Sequence, residues 1–202
     1  IRSIGIIGAG TMGNGIAQVA ASAGFDVILL DINDAALEKG LAALSKSLDR
    51  LIKKESITSE QKAQTLARIK TTTLYTDLAA VSLVIEAATE NQAIKEKILA
   101  QVDQVVSKET IIASNTSSIS ITHLGSLNSR PERFIGIHFF NPPPLMALLE
   151  VIMGKQTSPE TLKAVLAMAT KMGKEPITVQ SSPGFVVNRI LLPMINEAFF
   201  VL

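Results

Sequence analysis

Two histidines are the only imidazoles in these 202 residues, and cysteine and tryptophan are absent. His138 lies in the apolar run Phe134–Phe139, followed by Phe140, Asn141 and three prolines. A lone carboxylate, Glu150, stands inside the next apolar run, Leu148–Ile152. Burying an unpaired carboxylate is costly, so Glu150 needs a partner. The proline-rich turn between the runs could fold it back beside His138. A histidine among phenylalanines is also an ordinary satisfied core residue. Beside a redox cofactor the same pair has a job. Removing hydride from an alcohol leaves a proton, and imidazole titrates in the range a general base needs.

A cofactor of that kind is signalled near the start. Gly8, Gly10 and Gly13 form a G-x-G-x-x-G spacing in "IGIIGAGTMGNGIAQ", with Thr11 and Met12 between them. The spacing alone is weak. Here it follows a strand pattern and opens a helix pattern, and Asp31 closes the next strand, which completes the dinucleotide fingerprint. Gly8 permits a tight turn, Gly10 lets backbone approach a pyrophosphate, and Gly13 lets helix and strand pack closely. The helix N-terminus offers free N–H groups to the phosphates. Asp31 can accept both ribose hydroxyls of an adenosine and would repel a 2′-phosphate. Ile32, Asn33 and Asp34 supply no arginine, so the pattern favours NAD over NADP.

The elements that must position these groups alternate. Strands are expected at Ile4–Gly8, Val27–Asp31, Leu83–Ala87, Ile111–Ser114, Phe134–Phe139, Leu148–Ile152 and Pro176–Val179, with a weaker one at Thr71–Thr73. Helical patterns fall near 11–23, 34–54, 58–69, 91–107, 159–172 and 183–202. Such alternation implies an α/β fold, a mostly parallel sheet wound on both faces. The crossover from Asp31 to Thr71 is long enough for a projecting helical hairpin. Ligands in such sheets lie beyond the carboxyl ends of the strands. Polar residues there are Glu90 and Lys95, Asn115 and Ser117, and His138 and Asn141. Ser117, before a helix, is in isolation a capping residue.

Composition sets bounds. A 47% hydrophobic content and mean hydropathy of +0.34 suit strands covered on both faces. A net charge of +1 gives no argument for a nucleic-acid or anionic-membrane surface. Without cysteine there are no disulfides and no thiolate metal site. The apolar stretch 184–202 carries Asn188, Arg189, Asn196 and Glu197, which argues against a membrane span. Ser182 is expected as N-cap and Pro183 as first residue of its helix. A helix apolar around most of its circumference calls for burial, and nothing downstream in these residues can cover it, so its apolar surface is expected to be exposed. The expectation is therefore an NAD-binding domain over 1–182 and, over 183–202, the first helix of an all-α domain that continues beyond this fragment.

Five blocks, "GAGTMGNGIAQ", "VIEAATEN", "SNTSS", "HFFNPPPLMALLEVI" and "SPGFVVNR", resemble in order and spacing the L-3-hydroxyacyl-CoA dehydrogenase family, close to its bacterial 3-hydroxybutyryl-CoA members. The resemblance covers essentially the whole chain. It implies reversible oxidation of a (3S)-3-hydroxyacyl-CoA, short-chain in kind, to the 3-oxoacyl-CoA with NAD in the cytoplasm. It implies His138 as catalytic base, Glu150 as the carboxylate that orients it, and Ser117 and Asn188 as contacts to the reacting end. The cofactor set becomes Gly8, Gly10, Thr11, Met12, Gly13, Asp31, Ala87, Glu90, Lys95, Asn115, Ser117 and Asn141. Ser47 and Lys54, on the hairpin, match positions that meet the coenzyme A moiety. A helical C-terminal domain and a homodimer are implied as well. Pro143 departs from the small aliphatic residue the family's turn commonly carries, and stiffens it. His123 matches no functional position and is expected at the surface. A non-catalytic, crystallin-like NAD-binding protein and a sibling dehydrogenase of a non-CoA 3-hydroxy acid remain as alternatives.

Overall fold

The β-branched runs pair into one eight-stranded sheet, and a computed structural model describes it over residues Ile1–Leu202. The strands are β1 (Ser3–Ile7), β2 (Asp26–Leu30), β3 (Ile69–Thr72), β4 (Leu83–Glu86), β5 (Ile111–Ser114), β6 (Phe134–Phe139), β7 (Leu148–Met153) and β8 (Glu175–Gln180). Their order is β3-β2-β1-β4-β5-β6-β7-β8. Every pair is parallel except β6–β7. The chain leaves β1 for β2 on one side and returns to β4 on the other, which opens a crevice above the carboxyl end of β1.

The helices are α1 (Thr11–Ser22), α2 (Asp34–Lys53), α3 (Ser59–Ala67), α4 (Gln92–Val105), α5 (Ile121–Ser126), α6 (Pro159–Lys171) and α7 (Val187–Phe200). They cover both faces of the sheet, so side chains alternate between two cores. In β6, Ile135, Ile137 and Phe139 join the core beneath α1 and α6, and Phe134 joins the core beneath α4 and α5. Period two puts His138 on the Phe134 side.

The expected hairpin is α2–α3. Asn33 caps α2 by accepting from the Ala36 N–H at 2.9 Å. Thr58 and Gln61 form a reciprocal capping box at the start of α3. Leu37, Leu44 and Leu48 make one buried stripe on α2, and most of its remaining surface projects outward.

Two details differ from expectation. The six-residue α5 was not anticipated, since so short a helix shows little periodicity; Ser120 caps it. Ser182 and Pro183 do not open α7. Instead Ser182–Phe185 forms a turn, closed by the Phe185 N–H on the Ser182 carbonyl at 3.0 Å, with Phe185 at φ 51°. The helix starts at Val187, where Glu150 does the capping. As expected for a helix with nothing packed over it, no residue of α7 is buried. Its apolar side chains stand exposed, Phe199 by 72% and Ile190 by 64%. No helix is long and apolar enough to cross a membrane.

Candidate active site

The glycine turn joins β1 to α1. Gly8 adopts φ +100°, and a Cβ there would come within 2.6 Å of the Ala88 Cα. A Cβ on Gly13 would stand 1.7 Å from the Gly8 carbonyl oxygen. Nothing lies within 4 Å of the Cβ position of Gly10. Two glycines are therefore required by the protein's own packing, and the third faces open space. No side chain caps α1, and its first turn holds no acidic residue. Its N–H groups and dipole thus remain available to an anion, as a pyrophosphate requires. Thr11 is exposed and Met12 half-buried at this end. Asp31 follows β2 and turns back over the loop, its Oδ2 accepting from the Ala9 N–H at 2.6 Å and its Oδ1 from the Ile32 N–H at 2.7 Å. The residues fit an NAD: an open backbone cradle for phosphates with a carboxylate beside it.

The next carboxyl ends, of β4 and β5, are tied by a buried network. Lys95 was expected to face the nucleotide, but its side chain points inward and is 1% exposed. Its Nζ lies 2.6 Å from Glu86 Oε2, 3.4 Å from Ser114 Oγ and 3.8 Å from Glu90 Oε2. Glu86 is the residue the sequence reading missed. Its Oε1 accepts from the Ala88 N–H at 2.9 Å, which fixes the Ala87–Ala88 backbone against Gly8. The signal was present, because Glu86 is a lone acid in an apolar run, just as Glu150 is. Tyr75 is a second omission. Burial, then the charges of Glu86 and Asp31, push its hydroxyl above the ordinary phenol range.

Glu90 organises the loop after β5. Its Oε1 accepts from Thr116 Oγ1 at 2.7 Å, the Ser117 N–H at 2.8 Å and Ser118 Oγ at 3.2 Å. Asn115 reaches across to β6, its Oδ1 accepting from the Phe139 N–H at 2.9 Å. From α7, Asn188 Nδ2 donates to the Ser117 carbonyl at 3.3 Å. Ser117, Asn115 and Asn188 thus converge on the end of the strand that carries His138.

His138 and Glu150 are directly opposed in the antiparallel β6–β7 register. Opposed residues share a face with Cβ atoms roughly 5 Å apart. Their side chains meet, Nδ1 to Oε2 at 2.7 Å, with His138 5% and Glu150 0% exposed. The other oxygen, Oε1, accepts from the N–H groups of Val186 and Val187, each at 2.9 Å. One carboxylate therefore holds the imidazole and caps α7. Glu150 engages Nδ1, and Nε2 is left as the ring nitrogen without a protein partner. Phe140 and Phe185 flank the ring at centroid distances of 4.6 and 5.8 Å.

Asn141 is exposed two residues beyond β6. Ser47 on α2 and Lys54 just past its end line one groove of about 330 Å³, with Arg50 between them and Pro142, Pro144 and Leu145 as the opposite wall. That wall is the turn leaving the His138 strand. His123 is exposed and pairs with Glu96 at 2.9 Å, away from these groups.

Residues 3–182 match the family model described as "3-hydroxyacyl-CoA dehydrogenase, NAD binding domain". The chain belongs to this family. A 3-hydroxybutyryl-CoA dehydrogenase of Bradyrhizobium diazoefficiens is 49% identical over all 202 residues, which span 69% of that relative. A fatty acid oxidation complex subunit alpha of Acinetobacter baylyi is 46% identical over 193 residues, 96% of this chain and 27% of the relative. The crystal structure of an (S)-3-hydroxybutyryl-CoA dehydrogenase from Ralstonia eutropha superposes with a TM-score of 0.97 at 62% identity, over 98% of this chain and 70% of that one. That structure thus shares the overall fold of this chain.

Proposed function

We propose that this protein is an NAD-dependent 3-hydroxyacyl-CoA dehydrogenase acting on short-chain substrates such as 3-hydroxybutyryl-CoA. The observation that carries the reading is the buried His138–Glu150 pair at a strand end of a sheet whose crevice holds an open glycine cradle. NAD, when bound, supplies the hydride acceptor. His138 Nε2 takes the proton of the C3 hydroxyl as the alcohol becomes a ketone, and in reverse returns it to the alkoxide oxygen. Glu150 keeps Nδ1–H engaged, so the tautomer and ring direction are fixed, and it stabilises the imidazolium that forms. Ser117 and Asn188 hold the reacting end of the substrate, and Glu90 and Asn115 set the backbone around it. Asp31 receives the adenosine ribose and selects NAD over NADP. Lys95 supports this region from beneath, through Glu86 and Glu90. Ser47 and Lys54 receive the coenzyme A moiety in their groove.

The same reading takes 1–182 as the NAD-binding unit and α7 as the opening of a helical unit. Support comes from the exposed apolar side chains of α7 and from relatives of which this chain spans about 70%. A homodimer and a cytoplasmic location belong to this reading as well.

Following NADH absorbance with acetoacetyl-CoA tests it. Turnover is expected, and a free 3-oxo acid should be a far poorer substrate. Preference for the free acid would make the protein a sibling dehydrogenase without CoA. NADH binding without turnover of either would make it a non-catalytic binder.

A further inference from the structure

Lys174 is the buried cation that the reaction above does not use. It follows Gly173, which takes φ +70° as α6 ends, and the Lys174 N–H returns to the Ala169 carbonyl at 3.0 Å. The side chain runs inward, leaving the residue 8% exposed. It pairs with no carboxylate. Burial alone pushes its ammonium below the ordinary lysine range. A buried charge without a counter-charge is costly, so its contacts need a reason.

Those contacts are two carbonyls of one turn. Lys174 Nζ donates to the Pro143 oxygen at 2.6 Å and to the Met146 oxygen at 2.8 Å. The turn is short of donors, because Pro142, Pro143 and Pro144 have no N–H. Its only internal bonds run from the N–H groups of Leu145 and Met146 to the Pro142 carbonyl, at 3.0 and 3.1 Å. Two diverging carbonyls must be met from outside, and an ammonium with three donors on a flexible stem can meet both. On another side the Pro143 ring fills the space a Cβ on Gly15 would need, 2.8 Å from its Cδ. Pinned in this way, the turn presents Pro142, Pro144 and Leu145 to the groove shared with Ser47 and Lys54.

We propose that Lys174 is a positioning residue for the acyl-CoA groove: by holding the Pro143 and Met146 carbonyls it fixes the wall opposite Ser47 and Lys54. The inference rests on the coenzyme A reading of that groove. Lys174 touches neither the glycine turn nor His138, so it should act on acyl-CoA binding alone.

The test uses Lys174→Met, which keeps bulk and removes the donors, and Lys174→Gln, which can still reach one carbonyl. Amide hydrogen exchange across residues 145–147 reads the clamp without any ligand. Titration calorimetry with acetoacetyl-CoA and, separately, NADH reads its consequence. Lys174→Met removes both bonds to the turn, so it should speed exchange there and weaken acetoacetyl-CoA about tenfold as the groove wall loses its preorganisation. NADH affinity should hold within about twofold, with Lys174→Gln intermediate. Unchanged exchange would show that the ammonium does not hold the turn. Faster exchange with unchanged acetoacetyl-CoA affinity would make Lys174 purely structural. Equal weakening of NADH would show general damage. If the unsubstituted protein binds NADH and no acetoacetyl-CoA, the coenzyme A reading fails first, and this inference with it.

Discussion

The nucleotide end and the acid–base end of this sheet are built by different means. At the nucleotide end the backbone is the reagent. A turn, a helix start and one carboxylate lie within a contiguous stretch from Gly8 to Asp31, and what matters is which Cβ atoms are missing. At the acid–base end the side chains are the reagent. They come from β6, β7, the loop after β5 and the start of α7, and sheet register brings them together. The first arrangement tolerates little change in shape, the second little change in chemistry.

Replacing His138 should separate the two ends most sharply. His138→Gln keeps an amide that can still bond Glu150 and removes the proton acceptor. Turnover should fall by about 10²–10⁴, the usual share of general acid–base catalysis. NADH affinity should be unchanged by fluorescence titration, since no group of the glycine turn touches the ring. Full turnover in this variant would make His138 a core residue and dissolve the distinction.

The three glycines test the nucleotide end from within. Gly13→Ala drives a Cβ to 1.7 Å from a backbone oxygen that cannot move freely. Overpacking of this kind costs roughly 1–3 kcal/mol and often more against backbone, which urea denaturation would read. Gly10→Ala meets open space, so stability should stay within about 1 kcal/mol, the scale of a changed helix cap. NADH affinity should nonetheless drop by about tenfold or more, because the added methyl occupies the approach to the pyrophosphate. Equal effects at both positions would mean that the cradle is only packing. Asp31→Ala should be milder in stability and weaken NAD by about tenfold, while discrimination against NADP narrows. Steady-state KM values for the two cofactors would show it, and an unchanged KM for NAD would remove Asp31 from the site.

The same contrast decides what was legible in the sequence. The nucleotide end could be read because its determinants are close in the chain and their types are dictated by sterics. The alternation of strands and helices was legible for the same reason, since amphipathic periodicity is local. His138 and Glu150 were suggested by the cost of leaving a buried acid unpaired, yet their meeting depends on antiparallel register, which no local pattern specifies. The start of α7 was misplaced because the Ser182-Pro183 signal is a genuine local preference overridden by a tertiary one. Glu150 offers Val186 and Val187 a carboxylate cap, and the chain begins its helix there instead. Lys95 turns inward for a similar reason. A lysine in the first turn of a helix reads as a surface ligand, whereas Glu86, in direct contact at 2.6 Å, draws it into the core.

The smallest expected effect comes from a charge that serves neither end. Asp103 on α4 accepts from Arg130 Nη2 at 2.6 Å and from Ser129, through N–H at 2.8 Å and Oγ at 2.9 Å. Burial by itself would raise this carboxyl, but the bonds from Arg130 and Ser129 outweigh it and hold it below the ordinary range. A carboxyl depressed in the folded state stabilises the fold above the unfolded value, near 3.9, and that stabilisation fades as pH drops through the folded value. Asp103→Asn should therefore cost about 1 kcal/mol at neutral pH, the upper range for such a pair. The two proteins should converge in stability as pH falls below the carboxylate range, and turnover at neutral pH should be the same. His138→Gln has the opposite profile, a large loss of rate with little loss of fold. Should Asp103→Asn alter turnover as well, the sheet would be transmitting strain from α4 to the loop after β5, and the two ends could no longer be treated as independently built.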